Sequence, residues 1–521
     1  MHWACMGRLI NAAMSSRRLL LCCFAAVTSD LVVYAPPDAS WVENTYSVRA
    51  AAAAAGVGVG GAPQWQSSFT YTTFAPADAP AAQFGRSTSF TQLSFSEPVR
   101  VQIARLGVAA PWTRAVVRPL SAGVAVRRIA TGGGGGGGGG AGFGAELSLN
   151  ASAVGVQLSL EFDGDTANPL LLFANPLESA VPAAGSPGVL HFGRGVHTIA
   201  ARTALAAHTR VYLAGGAVVY GSFASAAQSS NITIEGRGVL SGGRLPLPPG
   251  CPDHCSGDDA LALVKLCGPG MAIRGIVAID APSYVFEVNP YWSACAPQAV
   301  ACGGRPCGTH VSNAKAVAWR FTSDAISAGP GALVEDCFFK VNDDAVKAFQ
   351  SDLLVRRVTI WQLDNGMPFM LSWNTPGDTR NITVRDCTVV HVEHAWDFGD
   401  RARPAVFGAV HGGRAALRGY LFEDIDVEGP VWRAFGLSVQ PNAWAPTPYG
   451  ELGDIDGVVF SRVRFLEASP QQADSLLWGV KADAIARIEF RDLEYGGKRI
   501  GAAAAGRIDL NASSTRNITF T

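Results

Sequence analysis

The chain has 521 residues, 48% of them hydrophobic and only 16% charged, with 59 glycines, 30 prolines and a formal net charge of −1. Sparse charge, many turn formers and many Val, Ile, Phe and Thr point to β structure rather than helical bundles. The near-neutral balance, with no basic stripe, argues against nucleic acid as a partner.

Residues 1–30 read as an export signal. Arg17-Arg18 precede the apolar run 19–27, and small and polar residues follow. Such a run is too short to span a bilayer and has the order of a signal peptide. Met14 is a second candidate start. No other segment reads as a membrane span, so a secreted protein is expected.

Residues 31–180 alternate apolar and polar side chains over short stretches, as in Ser68-Phe69-Thr70-Tyr71-Thr72-Thr73-Phe74. Hairpin-length separations without crossover helices predict an N-terminal antiparallel β-sandwich. The alanine run 50–55 and the glycine run 132–140 read as surface-loop insertions.

Residues 181–521 change texture. An aliphatic residue, a polar pair and then alternating apolar residues recur. Examples are Val334-Glu335-Asp336-Cys337-Phe338-Phe339, Val355-Arg356-Arg357-Val358-Thr359-Ile360 and Val458-Val459-Phe460-Ser461-Arg462-Val463. Copies recur at solenoid spacing, and no amphipathic helix lies between them. Units that cannot bury an apolar face alone must stack, which predicts an all-β chain ending in a parallel β-helix.

Cys251, Cys255, Cys267, Cys295, Cys302, Cys307, Cys337 and Cys387 follow the signal. Their even number, with six of them between 251 and 307, suggests disulfides stapling a long loop in an exported protein. A zinc site from Cys251, His254, Cys255 and Cys267 fits no common finger spacing. Asn-x-Ser/Thr sequons begin at Asn150, Asn231, Asn381, Asn511 and Asn517, three of them within Asn-Ile-Thr strand starts that also fit turn chemistry.

Asp343 and Asp344 adjoin, and Asp324 lies nineteen positions before Asp343, about one coil away. Neighbouring coils lie about 4.8 Å apart, so the three carboxylates should meet on one edge. Adjacent residues of a regular strand face opposite ways, so the backbone must bend at the pair, and Asn342 favours that bend. Crowding and burial would raise at least one pKa, giving an acid beside ionised bases. A water between acid and base needs the carboxyl groups roughly 6.5–9.5 Å apart. Lys347 is a candidate to bind a sugar hydroxyl or tune the carboxylates. Trp373 is the preferred sugar-stacking residue among Trp361, Trp373, Trp396, Trp432 and Trp444. No metal or other cofactor is expected. His391, Glu393, His394 and Asp397 do not share one strand face.

The stretch from Asp324 to Lys347, with Val358-Thr359-Ile360-Trp361 and Leu371-Ser372-Trp373-Asn374, resembles the catalytic core of glycoside hydrolase family 49. Arg210-Val211-Tyr212-Leu213-Ala214-Gly215-Gly216 and Gly236-Arg237-Gly238-Val239-Leu240-Ser241-Gly242 are similar to it as well. The resemblance implies a β-sandwich followed by a right-handed parallel β-helix. It implies inverting hydrolysis of α-glucan, as by dextranases and isopullulanase. It implies Asp343 as general acid and Asp324 and Asp344 as the carboxylates that activate water. Ala345 stands where that family usually has Gly, and the cysteine-rich loop 251–307 does not look like a family feature.

The related polygalacturonases normally carry Gly-His-Gly after the Asp pair, whereas this chain reads Leu363-Asp364-Asn365-Gly366-Met367-Pro368. The alternatives are a polygalacturonase-like or lyase-type β-helix enzyme and a non-catalytic glycan-binding β-helix protein.

Overall fold

The computed structural model describes residues 31–53, 63–108, 111–131, 142–227, 229–246, 261–290, 295, 302, 307–375, 377–395, 404–443, 445 and 447–521. The export signal, the glycine run, His254, Cys251, Cys255, Trp396, Asp397 and Trp444 lie outside these residues.

Alternating side chains give the N-terminal strands one buried and one outer face. They form a six-stranded and a five-stranded sheet packed on a shared core that includes Val48, Leu93, Val101, Leu147, Leu158 and Leu172. Pairing is antiparallel except between Ser87–Phe95 and Leu170–Asn175, which run parallel. The alanine run is not a loop throughout. Tyr46–Ala52 is a strand, and Ala50 and Ala51 are fully buried in it. A small side chain suits a close-packed sheet interior, which composition alone does not distinguish from a loop.

From Val189 onward the chain coils into a parallel β-helix with a 21-stranded and an 11-stranded sheet. The recurring polar pair turns out to be a bend of the coil, at a strand end in 335–336, 356–357 and 491–492 and within one long strand in 385–386, 423–424 and 461–462. Its second residue takes a left-handed conformation each time, with φ of 58° at Asp336, 52° at Arg357, 55° at Asp386, 53° at Asp424, 51° at Arg462 and 50° at Asp492. Asn231, Asn381 and Asn517 of the sequons share this conformation, with φ of 52°, 53° and 55°. Asn and Asp tolerate it best. Where Arg occupies the bend, its side chain reaches a carboxylate one coil away: Arg357 Nε donates to Asp336 Oδ1 at 2.7 Å, and Arg462 Nε to Asp424 Oδ1 at 2.8 Å.

Inside the coils, like residues stack at the coil repeat. Phe422, Phe460, Phe490 and Phe520 form one column with ring centroids 5.3, 5.3 and 4.7 Å apart. Phe369, Phe407 and Phe435 form another, at 5.2 and 5.4 Å. Offset stacking of this kind adds to burial and fixes the register between coils.

The sandwich lies against the outer face of one strand row. Phe90, Leu171 and Phe173 meet Val218, Val239, Val277, Val317 and Phe338 there. Polar contacts flank that seam. Arg86 pairs with Glu393, which also accepts the Trp361 indole N–H at 2.7 Å, and His391 Nε2 lies 2.8 Å from Glu161 Oε1. His391 and Glu393 are thus engaged across the seam. Trp361 is fully buried and belongs to the core rather than to a sugar platform.

Two disulfides join Cys267 to Cys295 and Cys302 to Cys307. Cys267 is therefore no zinc ligand. Both disulfides lie in the cysteine-rich loop, whereas Cys337 and Cys387 are free thiols buried among the coils. Each directly follows the left-handed bend of its coil, where a small apolar side chain points inward.

Candidate active site

Asp324 precedes the strand Ile326–Ala328, and Asp344 precedes Val346–Lys347 on the next coil. The register pairs Ile326 with Val346 and Ser327 with Lys347. Asp324 and Asp344 therefore hold the same position on successive coils. Asp343 and Asp344 lie between strands, where the chain bends after Val341. Asn342 pins this bend to both neighbouring coils. Its Nδ2 donates to Trp319 O at 2.5 Å, and its Oδ1 accepts Asn365 N–H at 2.9 Å.

Each of Asp324, Asp343 and Asp344 offers a carboxylate oxygen, and these three oxygens all lie within 4.8 Å of one another. That is tighter than the 6.5–9.5 Å expected from the sequence for a water between acid and base. Lys347 places its ammonium between two of the three carboxylates. Its Nζ lies 2.5 Å from Asp324 Oδ1 and 3.0 Å from Asp344 Oδ2. Lys347 is therefore engaged with two of the carboxylates.

Trp373 donates its indole N–H to Asp344 Oδ2 at 3.0 Å. It also packs against the apolar cluster Phe349, Met367, Met370 and Val410. Met367 N–H donates to Asp344 Oδ1 at 3.1 Å. Three donors thus converge on Asp344, which is 0% exposed, while Asp324 is 2% exposed and Asp343 alone is partly open to solvent.

The electrostatics follow from this geometry. Burial, and then the charge of Asp344, push the Asp343 carboxyl up to about 7, with Lys347 opposing. Burial and the Asp343 charge push Asp324 well above the usual carboxylate range, again with Lys347 opposing. Burial disfavours the Lys347 charge, but the surrounding carboxylates outweigh it and hold the ammonium well above its ordinary value. One accessible carboxyl that titrates near neutrality beside two buried, ion-paired ones is an arrangement suited to acid–base chemistry.

Sequence reasoning brought out Asp324, Asp343, Asp344, Lys347 and Trp373, and the structure gathers all five. It did not bring out Asn365, whose Nδ2 donates to Asp343 Oδ2 at 3.2 Å, or the Thr322 N–H that donates to the same oxygen at 3.0 Å. The Asn365-Gly366 dipeptide, a turn signal about one coil after the Asp pair, was the available clue.

A β-sandwich followed by a parallel β-helix defines the fold class. No family model matches the chain. It is 25% identical over 376 residues to isopullulanase from Aspergillus niger, covering 63% of this chain and 61% of that one. It is 27% identical over 225 residues to dextranase from Arthrobacter sp. (strain CB-8), covering 40% of this chain and 32% of the relative. These matches thus span less than two thirds of either relative. Among solved structures, Dex49A from Penicillium minioluteum superposes with a TM-score of 0.72 at 20% identity, covering 95% of this chain and 99% of that one, and so shares the fold. The chain is dextranase- and isopullulanase-like, similar to glycoside hydrolase family 49.

Proposed function

We propose that this chain is a secreted glycoside hydrolase that cleaves α-linked, dextran- or pullulan-like glucan with inversion. The observation that carries the reading is the meeting of three aspartates from two coils around one lysine, with Asp343 alone partly open. Sequence similarity to a dextranase and an isopullulanase supports the substrate class, and the disulfides support export.

Asp343, protonated, donates to the leaving glycosidic oxygen as the bond to the anomeric carbon breaks. A water attacks that carbon and gives its proton to the carboxylate pair. Asp324 and Asp344 both lie against the Lys347 ammonium, which favours their ionised forms as acceptors. Asp344, held by three donors, fixes the pair beside it. Solvent then returns a proton to Asp343 and removes one from the base.

Attack by water rather than by a carboxylate follows from burial. A sugar carbon cannot bond to side chains that are 0% and 2% exposed, and of the two Asp324 keeps the surface that a water can touch. Single displacement by water inverts the anomeric centre. The short carboxylate spacing favours the opposite outcome, because retaining enzymes hold their pair about 5–5.5 Å apart. Proton NMR of the first product from dextran or pullulan decides between them. A β-anomer appearing first supports inversion, and an α-anomer rules it out.

A further inference from the structure

The two oxygens of Asp343 are not equivalent. Oδ2 accepts Thr322 N–H at 3.0 Å and Asn365 Nδ2 at 3.2 Å, while Oδ1 accepts Asp344 N–H at 2.9 Å. A carboxyl oxygen has two lone-pair sites. Both sites on Oδ2 are therefore taken, and one on Oδ1 is left.

Asn365 is built to hold its place. It is 3% exposed, its N–H donates to Asn342 Oδ1 at 2.9 Å, and its carbonyl accepts Gln362 Nε2 at 2.5 Å. Its own Oδ1 is buried with no hydrogen-bond partner among the described residues. Leaving that acceptor unmatched costs stability, so the orientation of the amide serves the contact with Asp343 rather than its own satisfaction. The next residue reinforces this. Gly366 has φ of 77°, and a Cβ there would lie 2.1 Å from Asp343 C, so the turn rests directly on the Asp343–Asp344 peptide.

We infer that Asn365 is a positioning residue that closes Oδ2 of Asp343 and so makes Oδ1 the oxygen that carries and delivers the proton. This rests on the reading of Asp343 as general acid. Without the amide, the proton can reside on either oxygen, and only one of them faces the scissile bond. Loss of a hydrogen bond to the charged form also makes the carboxyl hold its proton more tightly.

The test compares Asn365→Ala and Asn365→Asp with the unaltered protein, using kcat/KM against pH on whichever glucan the protein hydrolyses, with melting curves alongside. In Asn365→Ala the limb on which activity falls with rising pH should move up by about one pH unit. Its kcat should fall about ten-fold at unchanged KM, a part of the 10²–10⁴ that a general acid supplies. Asn365→Asp is nearly isosteric and carries the test if the alanine variant does not fold. It sets a second negative charge against Asp343 and should move the limb further the same way. Folded variants that keep the limb in place would overturn the inference. Asp343→Asn separates the two ideas. If it is inactive while the Asn365 variants show no shift, only the role of Asn365 falls; if it remains active, the acid assignment falls and this inference with it.

Discussion

Asp324 and Asp344 occupy the same position on successive coils and share the ammonium of Lys347, at 2.5 and 3.0 Å. Parallel stacking brings together residues that are twenty apart in sequence, and one cation keeps their charges from separating the coils. Lys347→Met leaves two buried carboxylates without a counter-ion. We expect it to destabilise the fold by about 3–5 kcal/mol, the usual result of removing one partner of a buried ion pair. Urea unfolding with a midpoint like that of the unaltered protein would show that the lysine does not hold the site together.

The pH dependence follows from Asp343. As the proposed general acid it must be protonated to act, and its carboxyl is pushed up to about 7 by burial and by Asp344. kcat/KM should therefore fall as pH rises through about 7. The same shift has a consequence for stability. A carboxyl whose folded value lies above its unfolded one binds more protons when folded, so stability declines as pH rises from about 4 to about 7. Asp343→Asn should melt higher than the unaltered protein at pH 8, with the gap closing below pH of about 4. An equal gap at both pH values would contradict this origin.

Gly366 is required by geometry rather than by flexibility. Its φ of 77° and the 2.1 Å approach of an added Cβ to Asp343 leave no room for a side chain. Gly366→Ala should lose most activity and cost about 1–3 kcal/mol in backbone strain. Thermal melting together with turnover checks this, and a fully active variant would refute it.

Lys340 is fully buried against the Trp361 ring, its Nζ 3.8 Å from the ring centroid, with no hydrogen-bond partner among the described residues. Burial drives its pKa down to about 7, with Glu393 opposing. The unfolded chain then binds more protons than the folded one between pH of about 7 and 10, so stability is lost as pH falls through that window. Lys340→Met should stabilise the fold by about 1–4 kcal/mol, as replacement of buried charge by packed apolar atoms can. A lower melting temperature at pH 6 than in the unaltered protein would contradict this.

The β-helix was legible because each coil repeats one local code. The polar pairs at 335–336, 356–357 and 461–462 mark the bends, and the apolar residues around them fill the interior. Asp324, Asp343 and Asp344 were legible for the same reason, since coil spacing converts sequence distance into neighbourhood. Contacts that depend on side-chain direction were not. Nothing in the sequence shows that Lys347 points between two aspartates, that Trp361 faces inward while Trp373 reaches Asp344, or that Ala50 and Ala51 lie in a strand. That Cys337 and Cys387 stay unpaired was likewise not legible. Counting cysteines ignores that a coil interior accepts a thiol as a small apolar group.

The central claim is that Asp343 is the acid of a glycosidase site. Release of reducing ends from dextran, pullulan, pectin and arabinan, measured side by side for the unaltered protein and Asp343→Asn, tests it most directly. The account predicts release from an α-glucan, reduced about 10²–10⁴-fold in the variant while the fold is retained. Turnover in Asp343→Asn close to that of the unaltered protein would contradict it, as would the absence of reducing ends from every polysaccharide.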